Sequence, residues 1–148
     1  MHFEDLSTDS YLGWCPHVRS VGWLAAGHEF PTGDPPPDLV PLLELHLKDH
    51  WAIFAAAGKH DCEFCAAEGC LHADSRNLFI PGADAVYFAP GMIVHYITQH
   101  RYLPPYEFIE ALRLCPPQGS ADFMTLMMDF GTWHEAKFAP PHPQPPAP

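Results

Sequence analysis

Apolar positions change their spacing along the chain, and each change marks an element. Residues 18–25, Val-Arg-Ser-Val-Gly-Trp-Leu-Ala, read as a strand, followed by a turn or loop over 27–33. Asp34-Pro-Pro-Pro is a stiff connector. From Asp38 the spacing becomes helical. Leu39, Leu42, Leu43, Ile53 and Phe54 share one stripe, Asp38 suits an N-cap, and Gly58 suits the C′ position. This predicts a helix over 38–57 that can break in its middle, with Pro41 tolerated in its first turn.

Residues 58–75 form a loop with three cysteines, and residues 78–81 and 85–89 read as a hairpin around Gly82-Ala83-Asp84. Pro90 can open a helix that runs to His100. Pro104-Pro105 starts another, with Phe108, Ile109 and Leu112 on one face, and Pro116-Pro117 ends it. Ser120 caps a last helix with the stripe Phe123, Met124, Met127 and Met128, stopped by Gly131. Residues 1–12 read as an irregular lead-in. The segment 139–148, Ala-Pro-Pro-His-Pro-Gln-Pro-Pro-Ala-Pro, cannot pack a core and is expected to be extended. The expectation is one globular zinc-binding domain over 1–138 and a disordered proline-rich tail over 139–148. Its fold class is α+β: a small antiparallel sheet with a knuckle, hairpin and helix in treble-clef order, packed on three or four short helices.

Composition adds limits. The chain has 148 residues, 47% of them apolar, and 18 prolines, which suits short elements joined by rigid turns. The net charge is -11, and the seven Lys and Arg residues are scattered. No basic stripe exists to displace counterions from nucleic-acid phosphates or to meet an anionic membrane. The charge suits a protein partner with a basic surface. The start, Met-His-Phe-Glu-Asp-Leu-Ser, has neither a basic nor an apolar run, so no signal peptide is expected. No apolar run reaches the roughly 18 residues of a membrane span. A cytoplasmic protein keeps its thiols reduced, and there a Cys-x-x-Cys pair reads as metal or redox chemistry before disulfide chemistry.

Cys62-Glu-Phe-Cys65 is such a pair, in a tight loop opened by Gly58-Lys-His60-Asp61. The spacing lets both sulfurs reach one zinc ion. Two more ligands are needed, and His95-Tyr-Ile-Thr-Gln-His100 offers two imidazoles at a separation common in zinc modules. Five positions span about 140° on a regular helix, so His100 requires the helix to loosen at its end. Two thiolates and two neutral imidazoles give a formally neutral zinc site, easier to bury than a charged one. His60, Cys70 and His72 are alternative ligands. A redox pair is disfavoured, because redox motifs of this kind open a helix after a strand.

Other residues invite chemistry but read more simply as structure. His46 and His50 sit one turn apart on the same stripe as Leu42 and Leu43, and read as boundary histidines. Cys15-Pro-His17 reads as a buried thiol beside an unrelated histidine. The methionine stripe and Trp14, Trp23, Trp51 and Trp133 read as packing. His28-Glu-Phe-Pro-Thr-Gly33 combines titratable groups, a hydroxyl and a rigid turn, and reads as a structural turn.

Several motifs run together: Val21-Gly-Trp-Leu24, Phe30-Pro-Thr-Gly33, His60-x-Cys62-x-x-Cys65, Leu78-Phe-Ile-Pro-Gly82, Tyr87-x-Ala-Pro90 and His95-Tyr-Ile-x-x-His100-x-Tyr-x-Pro-Pro-x-x-Phe108. This string, over residues 15–117, resembles a group of small bacterial proteins that carries no established activity. The resemblance implies that His60, Cys62, Cys65, His95 and His100 belong to one constellation. Cys70 and His72 fall outside its pattern.

Two functions follow. The first is a zinc-stabilised acidic binding module, of adaptor or immunity type, in which Cys62, Cys65, His95 and His100 hold a structural Zn2+. The second is a small zinc hydrolase with three protein ligands and a bound water, served by Asp61, Glu63 or Glu68 as base. No HExxH motif, nucleophile elbow or phosphate loop is present, which ranks the hydrolase second.

Overall fold

The computed structural model describes residues 1–52 and 59–131. In chain order the elements are β1 (Asp9–Ser10), β2 (Gly13–Trp14), β3 (Val18–Ser20), α1 (Leu39–Lys48), β4 (His60–Asp61), α2 (Glu63–Ala67), β5 (Ala73–Asp74), β6 (Asn77–Pro81), β7 (Val86–Pro90), α3 (Ile93–His100), α4 (Tyr106–Leu114) and α5 (Ala121–Met128). The class is α+β, as expected.

The centre is a three-stranded sheet in the order β3-β7-β6. β6 and β7 form the expected hairpin, with Leu78 opposite Ala89 and Phe79 opposite Phe88. The Gly82 amide closes it by donating to the Ala85 carbonyl at 2.8 Å. Both strands are unbroken apolar runs because both of their faces are covered. Strand alternation sorts the side chains between two cores. Leu78, Ile80, Tyr87 and Ala89 pack with residues of α1, α3 and α4. Phe79, Val86 and Phe88 pack with Trp23, Phe123 and Met127 on the other face. Each fully buried side chain of this size stabilises the fold by about 1.5–3 kcal/mol.

The sheet is mixed rather than wholly antiparallel. β3 runs parallel to β7, with Val18 opposite Val86. A parallel neighbour needs a long crossover, which the chain supplies through α1 and the cysteine loop. The apolar run over 18–25 yields only three strand residues because Gly22 turns left-handed, at φ 77. The lead-in is more regular than its sequence reads. Leu6 donates to the Ser20 carbonyl at 2.7 Å, Ser20 donates to Ser7 at 3.0 Å, and β1 pairs with β2.

α1 stops at Lys48, short of the expected 57. The Leu47 carbonyl there meets His50 Nδ1 at 3.2 Å and Arg76 at 3.5 Å. Ile53, Phe54 and Gly58 lie outside the described residues, as do Trp133 and the tail over 139–148. Asp38 precedes α1 but makes no side-chain cap bond. Its carboxylate instead takes the Arg113 guanidinium at 2.8 and 3.0 Å, a charge-assisted fork that outcompetes a single backbone amide. Ser120 does cap α5, accepting from the Phe123 amide at 3.2 Å. Among the described residues, no helix is long and apolar enough to cross a membrane.

Candidate metal centre

The cysteine segment is built from two small elements. β4 pairs antiparallel with β5, and the Cys62 amide donates to the His72 carbonyl at 2.9 Å. α2 then starts, with Cys62 at its N-cap in an extended conformation (φ -77, ψ 107) and Cys65 three residues on. N-cap and N3 side chains face each other, as in a capping box, so the local fold turns both sulfurs to one side. Cys62 is 1% and Cys65 8% exposed.

The imidazoles come from α3, which the hairpin delivers to the same place. Tyr96 and Ile97 anchor α3 in the core and leave His95 and His100 half-buried at its edge. The helix ends at His100. Arg101 takes a left-handed conformation, φ 58, and the Tyr102 amide reaches back to the Tyr96 carbonyl at 3.1 Å. The helix is unbroken through His100, so both imidazoles reach the cluster without the expected loosening, and the left-handed turn only follows them.

Four donor atoms meet. Cys62 Sγ lies 3.3 Å from His100 Nε2. Cys65 Sγ lies 3.3 Å from His95 Nε2 and 3.4 Å from His100 Nε2. All four ligand atoms fall within 4.8 Å of one another. A tetrahedral ion with Zn–S of about 2.3 Å and Zn–N of about 2.0–2.1 Å sets a sulfur–nitrogen edge of about 3.5 Å. The sulfur–nitrogen distances of 3.3–3.4 Å fit that size. The cluster can therefore hold a metal ion.

The surroundings favour neutral groups when no ion is present. Burial, then Cys62, then the charges of Glu68 and Cys70 push the Cys65 thiol up from its ordinary value. Burial, then His72 and His100, push His95 down. An ion reverses this balance for the thiols, since a metal draws off their protons.

The alternative ligands are elsewhere. His60, which the resemblance grouped with the site, packs edge-on against Trp23 at 4.8 Å and Tyr11 at 5.6 Å, so it belongs to the aromatic packing. His72 lies flat against the His95 ring at 4.4 Å and contributes no donor to the cluster. Cys70 is exposed and likewise outside it. Asp61, Glu63 and Glu68 are exposed, and the cluster contains no carboxylate.

The other sites read as structure. His46 is buried, with Nδ1 at 3.3 Å from the Gln118 amide, and burial lowers its pKa. Cys15 is buried, while His17 stacks on Phe130 at 5.6 Å. Met127 is fully buried, whereas Trp14 and Met128 are each 43% exposed.

Some supporting residues are invisible to motif logic. Phe64, between the two cysteines, packs against His100 at 5.1 Å and against Phe30 at 5.6 Å. The loop over 28–33 thus props the imidazole end of the site. Its backbone is fixed by Leu103 donating to Pro31 at 2.9 Å and Gly33 donating to Arg101 at 3.1 Å. The Tyr102 hydroxyl lies 2.9 Å from both Asp5 oxygens, pinning the chain just after His100. A tyrosine two residues after a ligand histidine was the available signal for this anchor.

Together these features define a small α+β protein with a Cys2His2 cluster shared between a short knuckle and a helix end. Residues 1–113, which include all four donors, match the family described as Domain of unknown function (DUF7919), and the chain belongs to it. No curated protein and no solved structure matches it.

Proposed function

We propose that the protein is a zinc-stabilised acidic binding module, of adaptor or immunity type, working in the cytoplasm on a partner with a basic surface. The observation that carries this is the convergence of Cys62, Cys65, His95 and His100, four donors within 4.8 Å of one another. Four protein donors complete a tetrahedral shell, which is the mark of structural zinc and leaves no position for a hydrolytic water. Two thiols also favour zinc over magnesium or calcium. The ion would tie the knuckle to α3 and so hold the two parts of the chain together.

The partner follows from charge. The chain carries -11. Arg76, Arg101 and Arg113 are already engaged by Asp74, Asp34, Asp38 and Glu110. The remaining exposed carboxylates dominate the surface and would steer a basic protein in.

The test has two arms. Zinc removal by a chelator, or Cys62→Ser, is expected to unfold the protein. Capture of a basic protein partner by the folded chain is expected to weaken steeply with salt. A metal-free protein with unchanged thermal stability contradicts the structural role. Turnover of ester, amide or phosphoester substrates that is lost with zinc in a still-folded chain would favour the hydrolase.

A further inference from the structure

A cavity of about 360 Å³ opens where β4, the start of α2 and α3 meet the chain around Tyr11 and Trp23. Its volume lies at the small end of the range of ligand pockets, about 300–1,000 Å³. None of the four metal donors lines it. Aromatic rings set at right angles form its walls. Tyr11 and Trp23 are parallel within 2°, with centroids 6.2 Å apart. His60 stands edge-on to both, at 87° and 86°. The Trp23 indole is fixed by its Nε1, which donates to the Phe88 carbonyl at 3.0 Å. A ring face attracts a cation through its quadrupole, and a corner lets one compact cation meet more than one ring.

Tyr96 points to a ligand independently of the rings. It lines the same cavity and is 3% exposed, and among the described residues its hydroxyl has no hydrogen-bond partner. Among those residues the fully sealed side-chain atoms without a partner are His2 Nδ1 and Asn77 Oδ1. The Tyr96 oxygen is not one of them, so it opens onto the cavity and is available to a polar atom there. Asp61 and Glu63 also line the cavity and are exposed, which places negative charge at its rim. The Met1 ammonium stands 3.9 Å from Glu63, so this rim already seats such a group, in an exposed pair that holds weakly. Lys59 shares the rim, and its long exposed side chain reaches out to water.

We infer that this cavity is a binding site for a quaternary ammonium ion that carries a short hydroxyl-bearing arm. Asp61 and Glu63 supply the attracting charge. Tyr11, Trp23 and His60 receive the methylated head, and the Tyr96 hydroxyl bonds to the arm. A primary ammonium fits less well, because it would give up its hydrogen bonds to water against rings that offer few acceptors. A quaternary head has no such bonds to lose.

The probe is choline chloride, titrated calorimetrically into the full chain, with zinc content measured on the same sample. The expected result is one saturable site per chain. The uncharged analogue, in which carbon replaces the nitrogen, is expected to bind about tenfold more weakly. Tyr96→Phe keeps the buried ring and breaks no bond to the described residues, so it should keep the native melting temperature. It should weaken choline several-fold and leave tetramethylammonium, which has no arm, unchanged. Glu63→Gln, an exposed change, should weaken both cations. No saturable binding by the folded chain, equal affinity for the uncharged analogue, or a Tyr96→Phe variant that does not separate choline from tetramethylammonium overturns the proposal. A trimethyllysine peptide that binds more tightly than choline overturns the assignment to a free ion. A folded, zinc-free chain that binds choline supports this site and contradicts the structural zinc proposed above, so the two readings fail separately.

Discussion

The Asp74 carboxylate occupies the space that a side chain at Gly91 would need: a Cβ on Gly91 would stand 2.5 Å from Asp74 Oδ1 and 2.6 Å from Cγ. Asp74 belongs to β5, which closes the knuckle. Gly91 joins β7 to α3, which carries both histidines. The contact is where the two halves of the metal centre are held in register. Arg76 fixes the carboxylate there with bonds as short as 2.7 Å.

Gly91→Ala is expected to push Asp74 out of this notch and cost about 1–3 kcal/mol, the usual range for overpacking. Urea denaturation measures it. Asp74→Ala in the same chain removes the clashing group, so the double variant should lose less than the sum of the single ones. Simple additivity would show that the two residues are not coupled.

Asp5 gives a pH dependence with a definite sign. Burial raises its carboxyl above the ordinary 3.8, against bonds from Gly22 and Tyr102 that favour the charge. The folded chain holds this proton at pH values where the unfolded chain has released it. Stability therefore falls as pH rises from 3.8 through the raised value. Asp5→Asn keeps an acceptor for both donors and removes the charge. Denaturation midpoints measured across the acid range should lose that part of the decline. Tyr102→Phe leaves the buried carboxylate short of a donor and is expected to cost about 1–3 kcal/mol at neutral pH.

Gln118 ties α1, β6 and the segment after α1 at one point. Its amide nitrogen lies 3.2 Å from the Phe79 carbonyl and 3.3 Å from His46 Nδ1, and its oxygen accepts from the Trp51 amide at 3.0 Å. Gln118→Leu fills the space but strands these partners, and should lower stability by about 1–3 kcal/mol. A change below half that in urea denaturation would mean that water replaces the side chain without loss.

The legible parts of this protein are those in which chemistry restricts residue type. Zinc-type donors at Cys62, Cys65, His95 and His100 stand out because few residues can serve. The hairpin over 78–89 stands out because an unbroken apolar run bounded by Gly-Ala-Asp has few other uses. The helix caps divided: Ser120 accepts from the Phe123 amide of α5, whereas Asp38 is taken by the distant Arg113. That choice depends on a partner 75 residues away, and no local pattern carries it. The same holds for β3, whose parallel partner β7 is set by the crossover and not by its own residues. The brace from Phe30 through Phe64 to His100 joins three segments whose aromatic residues look like ordinary core in sequence.

The most direct test of the account is X-ray absorption at the zinc edge of the untagged full-length protein. The account predicts one zinc per chain with two sulfur neighbours at about 2.3 Å and two imidazole nitrogens at about 2.0–2.1 Å. A folded protein that binds no zinc, or zinc seen only by oxygen and nitrogen neighbours, would contradict it.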